Sequence, residues 1–292
     1  MSGETWLIVG FLLPTLAFLI FLLWLPFLQG IWMSFHHWPF FGEPKWEGLE
    51  NYREFLSAEY FWTTLRSTAI YSLSTVVQLG IALIAALALN QKFIRLKSLW
   101  SGIVIVPFVM PPVVGGAIWL YLLDPDLGMA MYYLQEFGIL DEPVYWDVEP
   151  FSANIVITLV AAWTFWPFMF LLIFASLQSI PESYHELAEV YGANLWQRFW
   201  MVTLPHIKGA ILTAVTIRFV WNLAKIDQPY QLTGGGPGYD TSVLSILTYQ
   251  FAYGYGDFGK AFTVGVFLVL FTAVVIGPFL KKFHSQISDT GR

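Results

Sequence analysis

Six long apolar segments constrain the fold of this chain more than any other feature. Each is close to the stretch of roughly 20 apolar residues that an α-helix needs to cross a bilayer. Only 12% of the residues are charged, and these charges cluster between the segments. The sequence therefore predicts an all-α membrane protein, with six transmembrane helices in a single domain over residues 1–292. The segments are residues 6–32, 64–89, 99–123, 151–178, 207–226 and 261–280.

The loops between the segments carry charges of opposite sign. Residues 90–98 hold three bases and no acid, whereas residues 124–149 hold seven acids and no base. Cytoplasmic loops of membrane proteins are enriched in Lys and Arg, so residues 90–98 are predicted to be cytoplasmic. With six crossings, this orientation also places both termini and residues 179–206 in the cytoplasm. No basic tail or nucleic-acid motif is present, so no nucleic-acid partner is expected.

Residues 179–206 form a polar loop between two apolar segments. The loop reads E-L-A-E-V-Y-G over residues 186–192 and, after nine further residues, V-T-L-P over residues 202–205. Pro181 suits the first turn of a helix, which Ser179 or Ser183 could cap. A glycine such as Gly192 ends a helix readily, because it adopts the left-handed conformation. The pattern predicts two short helices separated by a break.

A short helix in such a loop could dock to a cytosolic partner or lie on the lipid headgroups. Helices that lie on a membrane usually carry Lys or Arg on their polar face. Residues 182–191 carry three acids and neither of these bases. The sequence therefore favours docking to a protein.

A glycine-rich run follows the fifth apolar segment. Residues 233–241 read T-G-G-G-P-G-Y-D-T. A phosphate-binding loop of the form G-x-x-x-x-G-K-[ST] needs a Lys that this run lacks. On composition alone, the run is equally compatible with a flexible turn.

The fifth segment carries polar residues that share one helix face. They stand at i, i+3, i+4 and i+7, namely Arg218, Trp221, Asn222 and Lys225. Charges within a span usually face a bundle interior or an aqueous cavity. This face is therefore a candidate wall of a translocation path. Alternatively, Arg218 and Lys225 reach toward the interface or pair with acids such as Asp227.

Together, the loop pattern and the glycine-rich run resemble the permeases of ABC importers. The docking loop of that family reads E-A-A-x-x-x-G-x9-I-x-L-P, and here Leu187 replaces the first Ala. The run T-G-G-G-P-x-x-x-T resembles the signature of carbohydrate-importer permeases of the maltose, glycerol-phosphate and trehalose group. The resemblance is to the first of the two permeases in these systems and covers nearly the whole chain. The extra N-terminal spans and large periplasmic domain of the maltose permease are not expected here.

This resemblance implies a type I ABC-importer permease fold in a prokaryotic plasma (inner) membrane. The implied partners are a second homologous permease, two ATP-binding subunits that hold ATP and Mg, an extracytoplasmic solute-binding protein and a sugar or polyol. No cofactor, metal or catalytic residue is expected on this chain. The implied ATPase-docking residues are Glu186, Ala188, Gly192, Leu204 and Pro205. The implied substrate-path residues are Arg218, Trp221, Asn222, Lys225, Trp166 and Phe168. The aromatic rings of Trp166 and Phe168 could stack on a sugar.

Three other functions are compatible with a six-span protein. A secondary carrier usually has an intramembrane acid for ion coupling, and the six segments contain no Asp or Glu. An amino-acid or peptide ABC permease would match the docking loop but not the glycine-rich run. A membrane enzyme lacks support, because no catalytic constellation lies near the segments. The pair His36 and His37 fits an interfacial belt better than a metal site, since no third ligand follows at helical spacing.

Overall fold

The computed structural model describes the backbone of residues 3–290 and the side chains of residues 10–277. Within these residues, five helices are long and apolar enough to cross a membrane, and a bent pair of helices could form a sixth span. The five are Gly10–Met33, Glu59–Leu89, Pro150–Gln178, Leu195–Leu223 and Phe258–Gly277. The bent pair is Lys97–Val109 with Pro112–Leu122. The protein is thus mostly helical, with five or six candidate spans.

The regular elements, in chain order, are α1 (Gly3–Leu19), a π-helical turn (Ile20–Trp24), α2 (Leu25–Met33), β1 (His36–His37), β2 (Lys45–Trp46), α3 (Glu50–Ser57), α4 (Glu59–Leu89), α5 (Lys97–Val109), α6 (Pro112–Leu122), α7 (Met129–Glu136), α8 (Pro150–Gln178), α9 (Glu182–Val190), α10 (Leu195–Arg198), a π-helical turn (Phe199–Thr203), α11 (Leu204–Leu223), α12 (Asp227–Thr233), α13 (Leu244–Tyr249), a π-helical turn (Gln250–Gly254) and α14 (Phe258–Thr290).

The third span is broken, which corrects the expectation of one continuous helix over residues 99–123. Helices α5 and α6 meet at an angle of 89°. The residue before a proline is pushed out of the helical region, and here two prolines follow one another. Met110 and Pro111 accordingly take extended ψ angles of 134° and 128°. The break therefore follows from local sterics that the Pro111–Pro112 pair imposes.

The fifth span also differs from the expected segment 207–226. Helix α11 ends at Leu223, and Ala224 is its C-cap. On the N-terminal side, α10, the π-helical turn Phe199–Thr203 and α11 follow one another without interruption. Together they form one continuous helix over Leu195–Leu223. The fifth span thus begins inside the polar loop and ends before Lys225.

The described chain divides into two compact units. The first contains the chain up to Phe61 together with Leu247–Phe271. In it, β1 and β2 pair antiparallel, with His36 opposite Trp46. The side-chain amide of Asn51 donates to the carbonyl oxygens of Ser34 and His36, at 3.1 and 2.9 Å. His36 is buried, and its ring lies 3.9 Å from that of Trp32.

The second unit contains Trp62–Ile246 and the chain from Thr272 onward. Its two apolar clusters are built largely on α8, which carries fourteen buried residues. One cluster joins Tyr71, Trp146 and Phe165, and the other joins Ala82, Phe170 and Ile207. This unit holds all the residues expected to dock a partner or line a path.

Candidate docking loop and substrate path

The docking loop, residues 179–206, contains two short helices with a break, as the sequence indicates. Helix α9 covers Glu182–Val190, and Gly192 follows it with a φ of 78°. The predicted serine cap is wrong. Pro181 occupies the N-cap position with no side-chain cap, and the Ser179 hydroxyl instead donates to the Ser176 carbonyl at 2.8 Å.

The second docking helix, α10, begins with a capping box. The Asn194 side-chain oxygen accepts from the Gln197 backbone N–H at 2.9 Å, and the Gln197 side chain accepts from the Asn194 N–H at 2.8 Å. Leu204 and Pro205 are the first two residues of α11. Because α10 continues directly into α11, a displacement of the second docking helix would be transmitted to the fifth span.

The two docking helices present an exposed apolar surface. Neither α9 nor α10 contains a buried residue. Glu186 is exposed and Ala188 is half-buried. Around them, five large apolar or aromatic side chains are between 56% and 84% exposed: Leu187, Val190, Tyr191, Leu195 and Trp196. An exposed apolar patch rimmed by polar groups is typical of a protein–protein contact.

Two ion pairs involve the docking helices. Lys92 in the basic loop pairs with Glu182 of α9, and Arg198 of α10 pairs with Glu189 of α9 at 3.3 Å. A cavity of about 1040 Å3 lies among α4, the loop that carries Lys92 and both docking helices. His185 lines this cavity, and burial followed by the nearby positive charge of Arg198 lowers its pKa. The neutral imidazole is therefore favoured there.

The expected path residues Arg218 and Asn222 form a buried polar hub with α4. Both are 1% exposed. The Arg218 Nε–H donates to Gln78 Oε1 at 2.9 Å, and its Nη2 donates to Asn222 Oδ1 at 2.5 Å. Asn222 in turn donates to Ser74 and Thr75 at 3.0 and 2.8 Å. In this structure, the two side chains therefore bond within the protein.

Lys225 does not share the helix face of Arg218, which corrects the expected i to i+7 alignment. It lies beyond the end of α11, because the helix stops at Leu223. Its ammonium group pairs with Asp227 at 3.0 Å, which is the alternative partner that the sequence suggests. The same ammonium lies 4.7 Å from the centroid of the Phe165 ring, and the Arg218 guanidinium lies 4.3 Å from it.

The structure brings Phe168 and Trp221 together but leaves Trp166 apart. The rings of Phe168 and Trp221 are 4.9 Å apart, and the ring of Phe108 from α5 lies tilted against that of Phe168 at 5.9 Å. Trp221 is 44% exposed. Trp166 instead contacts Phe170 at 6.0 Å, because residues two apart on a helix point in different directions.

The hub residues on α4 were not predicted, although the sequence contains a signal for them. Eight polar or hydroxylated residues of this span recur every three or four positions, as on one helix face. All are at most 3% exposed: Thr64, Ser67, Thr68, Tyr71, Ser72, Ser74, Thr75 and Gln78. Such a stripe in an apolar segment indicates the face turned toward the protein interior.

The glycine-rich run is a closed turn. The hydroxyls of Thr233 and Thr241 lie 2.7 Å apart, and Thr241 also donates to the Gly236 carbonyl at 2.6 Å. Gly234, Gly235 and Gly238 have positive φ angles of 61°, 96° and 57°. The threonines at the two ends of T-G-G-G-P-x-x-x-T thus bond to each other, and the glycines supply the left-handed conformations between them.

Comparison with known proteins identifies the family of this chain. The family described as "Binding-protein-dependent transport system inner membrane component" matches residues 78–282. The chain belongs to this family. It is a membrane-spanning permease subunit of a binding-protein-dependent ABC importer.

Two curated relatives cover almost the whole chain. The trehalose/maltose transport system permease protein MalF of Thermococcus litoralis is 31% identical, over 94% of this chain and 92% of that protein. The sulfoquinovosyl glycerol transport system permease protein SmoG of Agrobacterium fabrum is 30% identical, over 97% of this chain and 92% of that protein.

A solved structure has the same fold. It is a chain of a bacterial ABC transporter involved in the import of the acidic polysaccharide alginate. The two chains superpose with a TM-score of 0.83 at 22% identity, over 97% of this chain and 96% of that chain. The fold is therefore that of a type I ABC-importer permease.

Proposed function

We propose that this permease passes a sugar or a related polyol across the membrane. The observation that carries the proposal is the identity of 31% and 30% to two permeases named for sugar-containing solutes, each over more than nine-tenths of this chain. The aromatic pair Phe168 and Trp221 supports it, since ring faces can pack against the C–H groups of a sugar. An amino-acid or peptide importer is the alternative.

The proposed complex contains this chain, a second homologous permease, two ATP-binding subunits and an extracytoplasmic solute-binding protein. ATP and Mg are bound by the ATP-binding subunits, and hydrolysis takes place there. The chain lies in a prokaryotic inner membrane as a single permease domain, with both termini and the docking loop in the cytoplasm. The opposite charges of residues 90–98 and 124–149 support this orientation.

Docking of the ATPase is proposed for the face that carries Glu186, Ala188 and Gly192. The exposed apolar side chains around Glu186 support this assignment, because a soluble partner can cover them. Glu186 would meet a cationic group of the ATPase. Leu204 and Pro205 begin the helix that carries the displacement into the membrane.

The substrate path is proposed to run along Trp221, Phe168 and Lys225. Four expected path residues lie on the fifth span or just beyond its end. Of these, Trp221 and Lys225 are partly exposed. Arg218 and Asn222 shape this path from behind, through their bonds to Gln78, Ser74 and Thr75. Trp166 stays in the proposal as a more distant contributor.

The substrate class is tested by reconstituting the complete complex in vesicles with its binding protein. We expect ATP-dependent uptake of at least one sugar or polyol from a panel that also contains amino acids and short peptides. Vesicles without the binding protein serve as the control and should show little uptake. Uptake of only an amino acid or a peptide would refute the carbohydrate assignment.

The role of Lys225 is tested by Lys225→Met, which removes the charge and keeps a long apolar side chain. We expect uptake to fall several-fold, because a donor to solute hydroxyls is lost. The thermal stability should change little, since a partly exposed ion pair contributes only about 0–1 kcal/mol.

The double variant Lys225→Met with Asp227→Asn is the matched control. It removes the uncompensated charge that the single variant leaves on Asp227. If the double variant recovers both stability and uptake, Lys225 only neutralises Asp227 and does not line the path.

A further inference from the structure

The closed turn at residues 233–241 is fastened to two spans through one residue, Asp240. Its carbonyl oxygen accepts from the Ser67 hydroxyl of α4 and from the Asn154 side-chain amide of α8, the latter at 2.8 Å. Ser67 and Asn154 are 0% and 3% exposed. Two buried donors from different helices therefore converge on a single backbone oxygen.

A third contact to Asp240 lies nearer the surface. Arg66 Nη2 is 3.3 Å from the Asp240 carboxylate, and the Arg66 side chain is 60% exposed. An exposed ion pair of this kind contributes little, because water and salt screen it. The buried bonds from Ser67 and Asn154 are therefore the ones that hold the turn.

The segments on either side of the turn are fastened to the same spans. After it, the Leu244 N–H donates to the Thr68 hydroxyl of α4 at 3.0 Å. Before it, the Gln228 side-chain amide donates to the Thr164 hydroxyl of α8 at 2.7 Å. The Ser245 hydroxyl donates to the Lys225 carbonyl at 2.5 Å, so the two ends of the segment 225–245 bond to each other.

We propose that the glycine-rich run is a static clasp whose task is to position the path-side segment that carries Lys225. The clasp comprises the turn 233–241 and the two donors Ser67 and Asn154, which are positioning residues that touch no solute. It stays closed in every state of the transport cycle. This inference rests on the proposed path along Lys225 and assigns the run neither a ligand nor a gating movement.

The bonding pattern supports a positioning role. The Thr241 hydroxyl is engaged inside the turn, and the Asp240 carbonyl already accepts two buried donors. With the clasp closed, Lys225 is fixed relative to α4 and α8. Without the clasp, the segment that carries Lys225 samples more orientations. Solute binding must then restrict the segment to one orientation, and this entropic cost weakens the apparent affinity for the solute.

The first experiment compares Ser67→Ala and Asn154→Leu with Arg66→Gln in the reconstituted complex. We expect both buried-donor variants to raise the solute concentration for half-maximal uptake several-fold, with a maximal rate close to that of the parent. Arg66→Gln is the matched control, because it removes only the exposed ion pair to Asp240, which lies outside the clasp, and it should leave both quantities unchanged. A purely structural role would instead lower the amount of folded protein and the maximal rate without changing the half-maximal concentration.

The second experiment uses the absence of cysteine from the sequence. The double variant Arg66→Cys with Asp240→Cys, at two positions whose side chains are 60% and 33% exposed, is joined by a short, cleavable bifunctional thiol reagent. We expect the cross-linked complex to transport and to recover a half-maximal concentration near that of the parent. Loss of uptake that cleavage restores would show that the clasp opens during transport and would overturn the proposal.

The outcomes separate this inference from the carbohydrate assignment. A parent complex that takes up no sugar or polyol contradicts the assignment of the substrate, whichever solute is then used for the clasp variants. A parent complex that transports, with Ser67→Ala and Asn154→Leu unchanged in half-maximal concentration, contradicts the clasp alone.

Discussion

Replacing Gly192 by Trp is expected to abolish uptake while the protein still reaches the membrane. Gly192 is exposed at the break between the docking helices, and among the described residues other than its two chain neighbours, no heavy atom lies within 4 Å of the position that a Cβ would occupy. A bulky side chain therefore meets no obstacle inside the permease. The Trp side chain is instead expected to collide with the ATPase surface that the docking loop is proposed to contact. Solute uptake and ATP hydrolysis, measured on the same vesicles, should separate, with hydrolysis no longer coupled to uptake.

Gly192→Asn is the matched control for this prediction. The φ of 78° costs most residues about 1–2 kcal/mol, but Asn tolerates the left-handed conformation better. Asn should therefore support much of the parent uptake, whereas Trp should not. Normal uptake by Gly192→Trp would mean that this loop does not dock to the ATPase.

Replacing Arg218 by Met is expected to destabilise the permease. The change leaves Gln78 Oε1 and Asn222 Oδ1 without their donor in a buried site. An unsatisfied buried polar group costs about 1–3 kcal/mol in soluble proteins, and hydrogen bonds inside membranes average about 0.6 kcal/mol. We expect a loss of about 1–3 kcal/mol in the free energy of unfolding, seen as a lower melting temperature in detergent and less protein in the membrane.

Two further variants test the explanation. Lys208→Met removes an exposed cation from the same helix and should leave the melting temperature unchanged. Gln78→Leu added to Arg218→Met should recover part of the stability, because an apolar pair leaves fewer polar atoms unsatisfied. If Arg218→Met has the melting temperature of the parent but prefers a different solute, Arg218 contacts the solute. The proposed stabilising role of its bonds to Gln78 and Asn222 would then be wrong.

The helical fold and the two short helices within residues 179–206 could be predicted because they depend on local sequence. Apolar runs and loop charges indicate helices and orientation, since bilayer thickness and the positive-inside bias act on each segment separately. Gly192 could be placed at a helix end for the same reason, as its backbone freedom is a property of the residue itself. The break at Pro111–Pro112 was equally local and was missed, although two consecutive prolines predict it.

The candidate path could be predicted only in part. Helical spacing placed Arg218, Trp221 and Asn222 near one another, and the structure keeps them on α11. The spacing failed for Lys225, because the helix ends before it. The spacing also gave no reason to distinguish Phe168, whose ring contacts that of Trp221, from Trp166, whose ring contacts that of Phe170.

The sequence by itself determined that this chain is a helical membrane protein with a polar loop of two short helices between two of its apolar segments, because hydropathy and backbone freedom are properties of single residues and short segments. Only the tertiary structure decided which polar groups meet. Gln78 reaches Arg218 across 140 positions of the chain, and Ser67 reaches Asp240 across 173. Contacts between such distant positions depend on how the helices pack, and a hydrogen bond forms only where that packing brings donor and acceptor within about 3 Å.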